Sequence, residues 1–212
     1  ANSAVSNTHI VRLLNPPIIL SVKPFFGATR GGTELIIKGS NFANTDMLKC
    51  HFGEAIVTGR YKNFSHASCI TPRQFKSATT SLTLSFDNGA FRSNSVSFEF
   101  VDNANTASIQ PDIGNIFGGT NITVIGAGFD AAPVDANFVC RFGGAGGMHT
   151  KGHFVSATRV RCTTPAHAAG PVAVDVSMNG GLDFTDDGIG FTYHAPVRMK
   201  SFFPQSGPVD GG

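Results

Sequence analysis

The chain has no tryptophan and only two tyrosines, and its lysines, arginines, aspartates and glutamates together make up 14% of 212 residues. An average soluble domain carries about 25% charged residues. A formal net charge of +2 and the lack of any basic run count against a nucleic-acid binder, which usually shows a basic patch or stripe. No apolar stretch reaches the roughly 18 residues of a membrane-spanning helix. The opening "ANSAVSNTHI" lacks the charged start and apolar h-region of a signal peptide, so any targeting segment is expected outside these residues. No ten-residue helical pattern appears anywhere. Cysteines are few, at four; the count suits two bridges but does not by itself separate bridges from free thiols or metal ligands. Glycine is plentiful instead, at 25 residues. Few charges and many turn formers favour a sheet protein over an amphipathic helical bundle.

The chain repeats itself. The pattern P-x-x-G-x-x-x-G-G occurs at Pro24, Gly27, Gly31 and Gly32, at Pro111, Gly114, Gly118 and Gly119, and at Pro204, Gly207, Gly211 and Gly212. Between these openings the order of features is shared. "GGTELIIKGSNF" (31–42) matches "GGTNITVIGAGF" (118–129), "CHFG" from Cys50 matches "CRFG" from Cys140, and "CITP" from Cys69 matches "CTTP" from Cys162. "FDNG" (86–89) then answers "SMNG" (177–180), and "SFEF" (97–100) answers "GFTY" (190–193).

The repeat disposes of one tempting motif. Gly126-Ala127-Gly128-Phe129-Asp130-Ala131 fits G-x-G-x-x-A, the loop that seats a dinucleotide pyrophosphate at a helix N-terminus. The first copy reads Gly39-Ser40-Asn41-Phe42 there, and the segment after Phe129 meets Pro133 and then the strand-like "FVCRF" (138–142), with no room for a helix. No Asp or Glu occurs from Ala136 to Val174, so the ribose partner is absent too. Gly39 and Gly126 are expected to end a strand where the backbone needs positive φ.

Each copy reads as short strands and turns. Leu35 and Ile37 align with Ile122 and Val124 in alternating runs, and "SLTLSF" and "VAVDVS" alternate Leu82, Leu84, Phe86 and Val172, Val174, Val176. Each of the latter runs meets an Asn-Gly, a hairpin signal. Strands so spaced, in units of roughly 90 residues, predict an all-β chain of two-sheet sandwiches of immunoglobulin type. Phe42, Phe52 and Phe64 recur as Phe129, Phe142 and Phe154, and are expected in the core.

P-x-x-G-x-x-x-G-G-T, the following G-x-x-F, C-x-F-G, C-x-T-P and N-G, recurring in order, resemble IPT/TIG domains, which are early-set immunoglobulin-like sandwiches. The resemblance implies tandem sandwiches, with residues 1–16 as the last strand of a preceding repeat, 17–104 and 105–194 as two full repeats, and 195–212 as the start of a third, its first strand at 197–203. Paired cysteines and tandem copies point to the extracellular kind carried by plexins, fibrocystin-like proteins and protist surface proteins. The resemblance thus implies bridges Cys50–Cys69 and Cys140–Cys162. The rival Cys₄ metal site wants C-x₂₋₄-C spacings, which are missing, and buried free thiols are the other alternative.

The implied function is a non-enzymatic extracellular structural or adhesion module, part of a longer rod- or fibre-forming array at a cell surface or appendage. Two alternatives stand beside it: the stalk of a receptor ectodomain, and an intracellular DNA-binding TIG module. The expected partners are other proteins or glycans, including further copies of the array, with no nucleic acid, no cofactor, and membrane contact only through regions outside these residues. No catalytic constellation or metal site is predicted. His149 and His153, four apart, have zinc-like spacing for a helix, but lie in a glycine-rich insertion that the first copy lacks and read as a solvated loop. "DFTDDG" (183–188) reads as a turn, with a weak cation site as the rival. The sequons at Asn63 and Asn121 predict N-glycans; Phe64 and Ile122 are expected to face inward and so turn the asparagines to solvent.

Overall fold

The computed structural model describes residues 15–86, 91–198, 200–201, 203–204, 206–207 and 209. It divides after Asn103 into two compact units. The first contains β1 (Ile18–Lys23), β2 (Phe26–Ala28), β3 (Glu34–Ser40), β4 (Lys49–Phe52), β5 (Ala55–Asn63), β6 (His66–Ile70), β7 (Ala78–Ser85) and β8 (Val96–Val101). The second repeats the set as β9 (Asn105–Gln110), β10 (Ile113–Asn115), β11 (Asn121–Ala127), β12 (Val139–Phe142), β13 (Met148–Ser156), β14 (Arg159–Thr163), β15 (Gly170–Ser177) and β16 (Ile189–His194). The only helical element among the described residues is the three-residue 3-10 turn Phe129–Ala131, which stands in place of the α-helix that a dinucleotide site would need.

In each unit two sheets face one another. β1-β3-β6-β5 and β9-β11-β14-β13 run antiparallel, and the opposing sheets are β5-β4-β7-β8-β2 and β13-β12-β15-β16-β10. Their short edge strands, β2 on β8 and β10 on β16, pair in parallel. β5 and β13 belong to both sheets: Ala55–Thr58 pair with β4 and Gly59–Asn63 with β6, while Met148–Lys151 pair with β12 and Gly152–Ser156 with β14. The crossing comes at a glycine in each copy. A Cβ on Gly59 would stand 2.7 Å from Leu48 Cγ, and one on Gly152 3.0 Å from Phe138 Cβ. Both glycines lie ten residues before the second cysteine of their copy, a recurrence readable in the sequence.

Alternation places the cores. Leu35, Ile37, Leu82 and Leu84 in the first unit, and Ile122, Val124, Val174 and Val176 in the second, are buried around Phe52, Phe98 and Phe100 or around Phe142, Phe191 and Tyr193. Each such side chain contributes about 1.5–3 kcal/mol on leaving water. The opening motif explains itself locally. Gly31, Gly32, Gly118 and Gly119 all have φ between 75° and 89°, a region costly for any side chain. Gly32 and Gly119 donate to the carbonyls of Thr71 and Thr164, the threonines of C-x-T-P, so the two motifs clasp each other. In all three openings the proline follows a cis peptide bond.

Several expectations need correction. Gly39 and Gly126 lie within β3 and β11 with ordinary φ. They are glycines because the neighbouring strand passes too close: an added Cβ would stand 2.0 Å from the carbonyl oxygen of Ile18 or Asn105, and against the rings of Phe42 or Phe129. Gly126→Ala is therefore expected to destabilise the second unit toward the upper end of the roughly 1–3 kcal/mol typical of overpacking. Urea unfolding would show this as a lowered midpoint.

Asn179-Gly180 is not a two-residue hairpin turn. β15 returns to β16 through the long loop 178–188, in which Gly180 has positive φ and Asn179 forms a bridge with Asn137. Its counterpart Asn88-Gly89 lies outside the described residues, as do 1–14. Among the described residues of 195–212 no strand occurs. Phe42, Phe52, Phe129 and Phe142 are buried, but Phe64 is 71% exposed and Phe154 49%. Both follow a strand bulge or precede one, where alternation fails: the register slips between Tyr61 and Asn63 and between Phe154 and Ser156.

Candidate functional site

The cysteines are the first site residues the fold brings together. Cys50 on β4 is bridged to Cys69 on β6, and Cys140 on β12 to Cys162 on β14, with Cα–Cα distances of 6.5 and 6.4 Å. Each bridge joins one sheet to the other through the middle of its sandwich, and all four residues are buried. Among the described residues no group of three or more His, Cys, Asp or Glu stands where it would hold a metal ion.

His149 and His153 do not lie in a loop. They sit on β13, where four residues span about 13 Å, too far to share one ion. The insertion ends before them, and the ring of His149 packs 5.2 Å from that of Phe184. The acids of "DFTDDG" diverge. Asp183 accepts a hydrogen bond from Asn179 Nδ2 at 2.8 Å, Asp187 accepts from the backbone and hydroxyl of Thr106, and Asp186 pairs with Arg141. The Asp183 bond lies within the loop, whereas Asp187 and Asp186 fasten the loop to β9 and β12.

The most developed polar cluster lies on the outer side of β12. Arg141 Nη2 is 2.8 Å from Asp175 Oδ2 and 2.6 Å from Asp186 Oδ1, and its guanidinium carbon sits 4.0 Å over the ring of Phe184. The Asp175 side chain is only 3% exposed, and its other oxygen accepts from the Gly188 amide. Partial burial opposes the charge on Arg141, but the hydrogen bonds and charges of Asp175 and Asp186 hold its pKa above the ordinary value. This cluster pins loop 178–188 against the sheet.

The first unit places a different pair at the matching position, since His51 follows Cys50 as Arg141 follows Cys140. His51 Nε2 and Ser85 Oγ are hydrogen-bonded at 2.8 Å, both buried. Burial lowers the pKa of His51, and the charge of Arg92 adds to the effect. The folded unit thus resists a proton that the unfolded chain accepts near pH 6.5. Above that pH the histidine is neutral in both states and contributes nothing to pH dependence. As pH falls below it, the unfolded chain gains the proton first and stability declines, by at most about 1.4 kcal/mol per pH unit from one group. His51→Gln is expected to flatten the fall in stability of the first unit between pH 7.5 and 5, as measured by urea unfolding.

Neither cluster was drawn from the sequence. The signal was the residue between the cysteine and phenylalanine of C-x-F-G: alternation turns it outward from a central strand, where a histidine or arginine needs a partner.

Both sequon asparagines are exposed. Asn121 precedes buried Ile122 on β11, and its Oδ1 accepts from Thr163 Oγ1 at 2.9 Å. Asn63 reaches solvent for another reason than the one expected. It ends β5, with Oδ1 accepting from the amide and hydroxyl of Ser65, and the Phe64 ring beside it is exposed as well.

Comparison with known proteins agrees with this architecture. Residues 17–100 and 105–193 each match the family model described as IPT/TIG domain. Human Fibrocystin-L is 29% identical over 128 residues, a stretch that covers 58% of this chain and 3% of that protein. The plexin A4 full extracellular region superposes with a TM-score of 0.57 (domains 1 to 10) at 20% identity, covering 94% of this chain and 18% of the plexin chain. A second structure of that region (domains 1 to 8) gives 0.52 at 20% identity, over 91% and 20%. At this identity the likeness to plexin A4 is one of fold, and this chain spans a small part of both proteins. With two matched copies, each folded as a bridged two-sheet sandwich, the chain belongs to the IPT/TIG domain family.

Proposed function

We propose that the chain is a non-enzymatic extracellular module, a segment of a longer array of IPT/TIG sandwiches that spans distance at a cell surface or appendage and contacts proteins or glycans. The observation that carries this reading is the repetition of one bridged frame. Both copies keep the clasped opening motif, the sheet-crossing glycine and the buried disulfide. Disulfides of this kind persist in oxidising compartments. Units that repeat a frame add length without new core designs. Only residues 102–104 separate β8 from β9, so few backbone torsions are free between the copies, which supports a semi-rigid rod. Residues 1–16 and 195–212 fit the adjoining repeats in this scheme. The plexin A4 match lies within an extracellular region, which favours a receptor-stalk role as a second reading.

Two measurements test the proposal. Material from the native source should give peptides linked Cys50–Cys69 and Cys140–Cys162 on a non-reducing map, with glycans on Asn63 and Asn121. Free thiols with bare asparagines would remove the extracellular assignment. Small-angle scattering of the intact chain should give a narrow spread of interdomain angles; a broad one would leave a tether and end the rod reading.

A further inference from the structure

The outer faces of the β1-β3-β6-β5 and β9-β11-β14-β13 sheets both carry an excess of positive charge. In the first unit the register sets Lys23, Ile36, Ser68 and Arg60 in one row across four strands, with Lys38 opposite His66 in the next. Lys62 follows at the β5 bulge, and Glu34 is the one acid on these strands. In the second unit Thr123, Arg161 and His153 form a row and Ile125 and Arg159 the next, while Lys151 lies just before the sheet crossing, on the half of β13 that pairs with β12. No acid occurs on β9, β11, β13 or β14.

The segregation is sharpest in this second unit. Between residues 104 and 194 the chain has seven acids against four lysines and arginines, so the unit is acidic as a whole. Two of those four cations, Arg159 and Arg161, nevertheless stand side by side on this one sheet, and all seven acids stand elsewhere. The lysines and arginines named on both faces are exposed, and among the described residues none of them pairs with a carboxylate. The positions differ between copies. Counting back from the second cysteine, Arg161 and Arg159 take the places of Ser68 and His66, whereas Lys38 corresponds to Ile125. The sign of the face is kept through different residues, which sequence repetition alone does not produce.

We infer that these faces form a binding surface for an anionic polysaccharide, one patch per copy. Exposed cations aligned across neighbouring strands attract a polyanion by charge complementarity and by release of its counterions. Among the described residues the faces carry no projecting helix or ribbon to enter a duplex groove, which argues for a saccharide over DNA. The choice of a glycan also rests on the extracellular reading above, and the peptide map that tests that reading is independent of the experiment here. Asn121 and Asn63 lie at the ends of these faces, so the surface is best tested bare of attached glycans.

The experiment uses the intact chain, disulfides formed, with both sequons removed as Asn63→Gln and Asn121→Gln. Heparin, de-sulfated heparin and a DNA duplex are titrated at several salt concentrations. Heparin should bind with log K falling linearly against log salt, and more tightly than either of the other probes. Lys38→Glu with Arg60→Glu, and Arg159→Glu with Arg161→Glu, should each weaken heparin binding about tenfold or more and flatten the salt slope. Arg73→Glu with Lys76→Glu makes the same change of charge in the loop after β6 and should alter binding no more than about twofold. Glutamine variants serve wherever a reversal lowers the unfolding midpoint. Equal losses from faces and loop, no loss from either face, or duplex binding as tight as heparin would each overturn the assignment.

Discussion

Replacing Cys140 and Cys162 together by alanine is expected to lower the unfolding midpoint of the second unit by roughly 12–24 °C while leaving that of the first in place. The bridge closes a segment with a sequence separation of 22, and a loop of that size removes about 3 kcal/mol of chain entropy from the unfolded state, with enthalpic effects that vary by protein. For a unit of this length each kcal/mol moves the midpoint by about 4–8 °C. The geometry adds to the argument, because the bridge ties β12 in one sheet directly to β14 in the other. Calorimetry is the measurement, with one transition expected for each unit, and the same loss should follow in the Cys50 and Cys69 variant, now in the first. A midpoint unchanged to within a few degrees would show that packing alone sets the stability of the sandwich.

Arg141→Met is expected to cost the second unit about 3–5 kcal/mol, the range seen when one member of a buried pair is removed. The loss does not come from the ion pair alone. Asp175 would remain nearly inaccessible with only the Gly188 amide to answer its charge, and the contact that holds Phe184 and loop 178–188 to the sheet would go with the guanidinium. Asp186 is 63% exposed and returns to water at little cost. Denaturant unfolding of the single variant against Arg141→Met with Asp175→Leu separates the causes: the double variant should recover much of the loss. If the single change costs under about 1 kcal/mol, the cluster behaves as an ordinary surface ion pair.

Much of this fold was legible because it is written twice. The aligned alternation of Leu35 and Ile37 with Ile122 and Val124 identified the strands, and matched glycines marked turns that a single copy would have left ambiguous. The misreadings came where alternation or a local motif was trusted across an irregularity. Phe64 and Phe154 adjoin bulges, which turn side chains out of step. His149 looked like loop because the glycines before it were counted into its segment. Gly39 and Gly126 were right as required glycines but for a tertiary reason, the approach of Ile18 and Asn105, that no local pattern contains. The polar clusters were hidden for the same cause: Arg141 meets Asp175 and Asp186 across 34 and 45 residues, and only the folded register brings them together.

The parallel pairs β2–β8 and β10–β16 have a mechanical consequence. In each unit one member belongs to the entry of the chain and the other is its last strand. A pull on the two ends of a unit therefore drags these neighbours in opposite directions along their common axis. Their hydrogen bonds, including Thr29 to Val101 and Ile116 to His194 at 2.9 and 3.1 Å, share the load at once instead of opening one after another. The disulfide lies inside this latch, so a unit whose latch has slipped can lengthen only up to β4 or β12 and then beyond β6 or β14 before meeting a covalent stop. Force spectroscopy should show a shortened extension per unit, restored to full length by reductant.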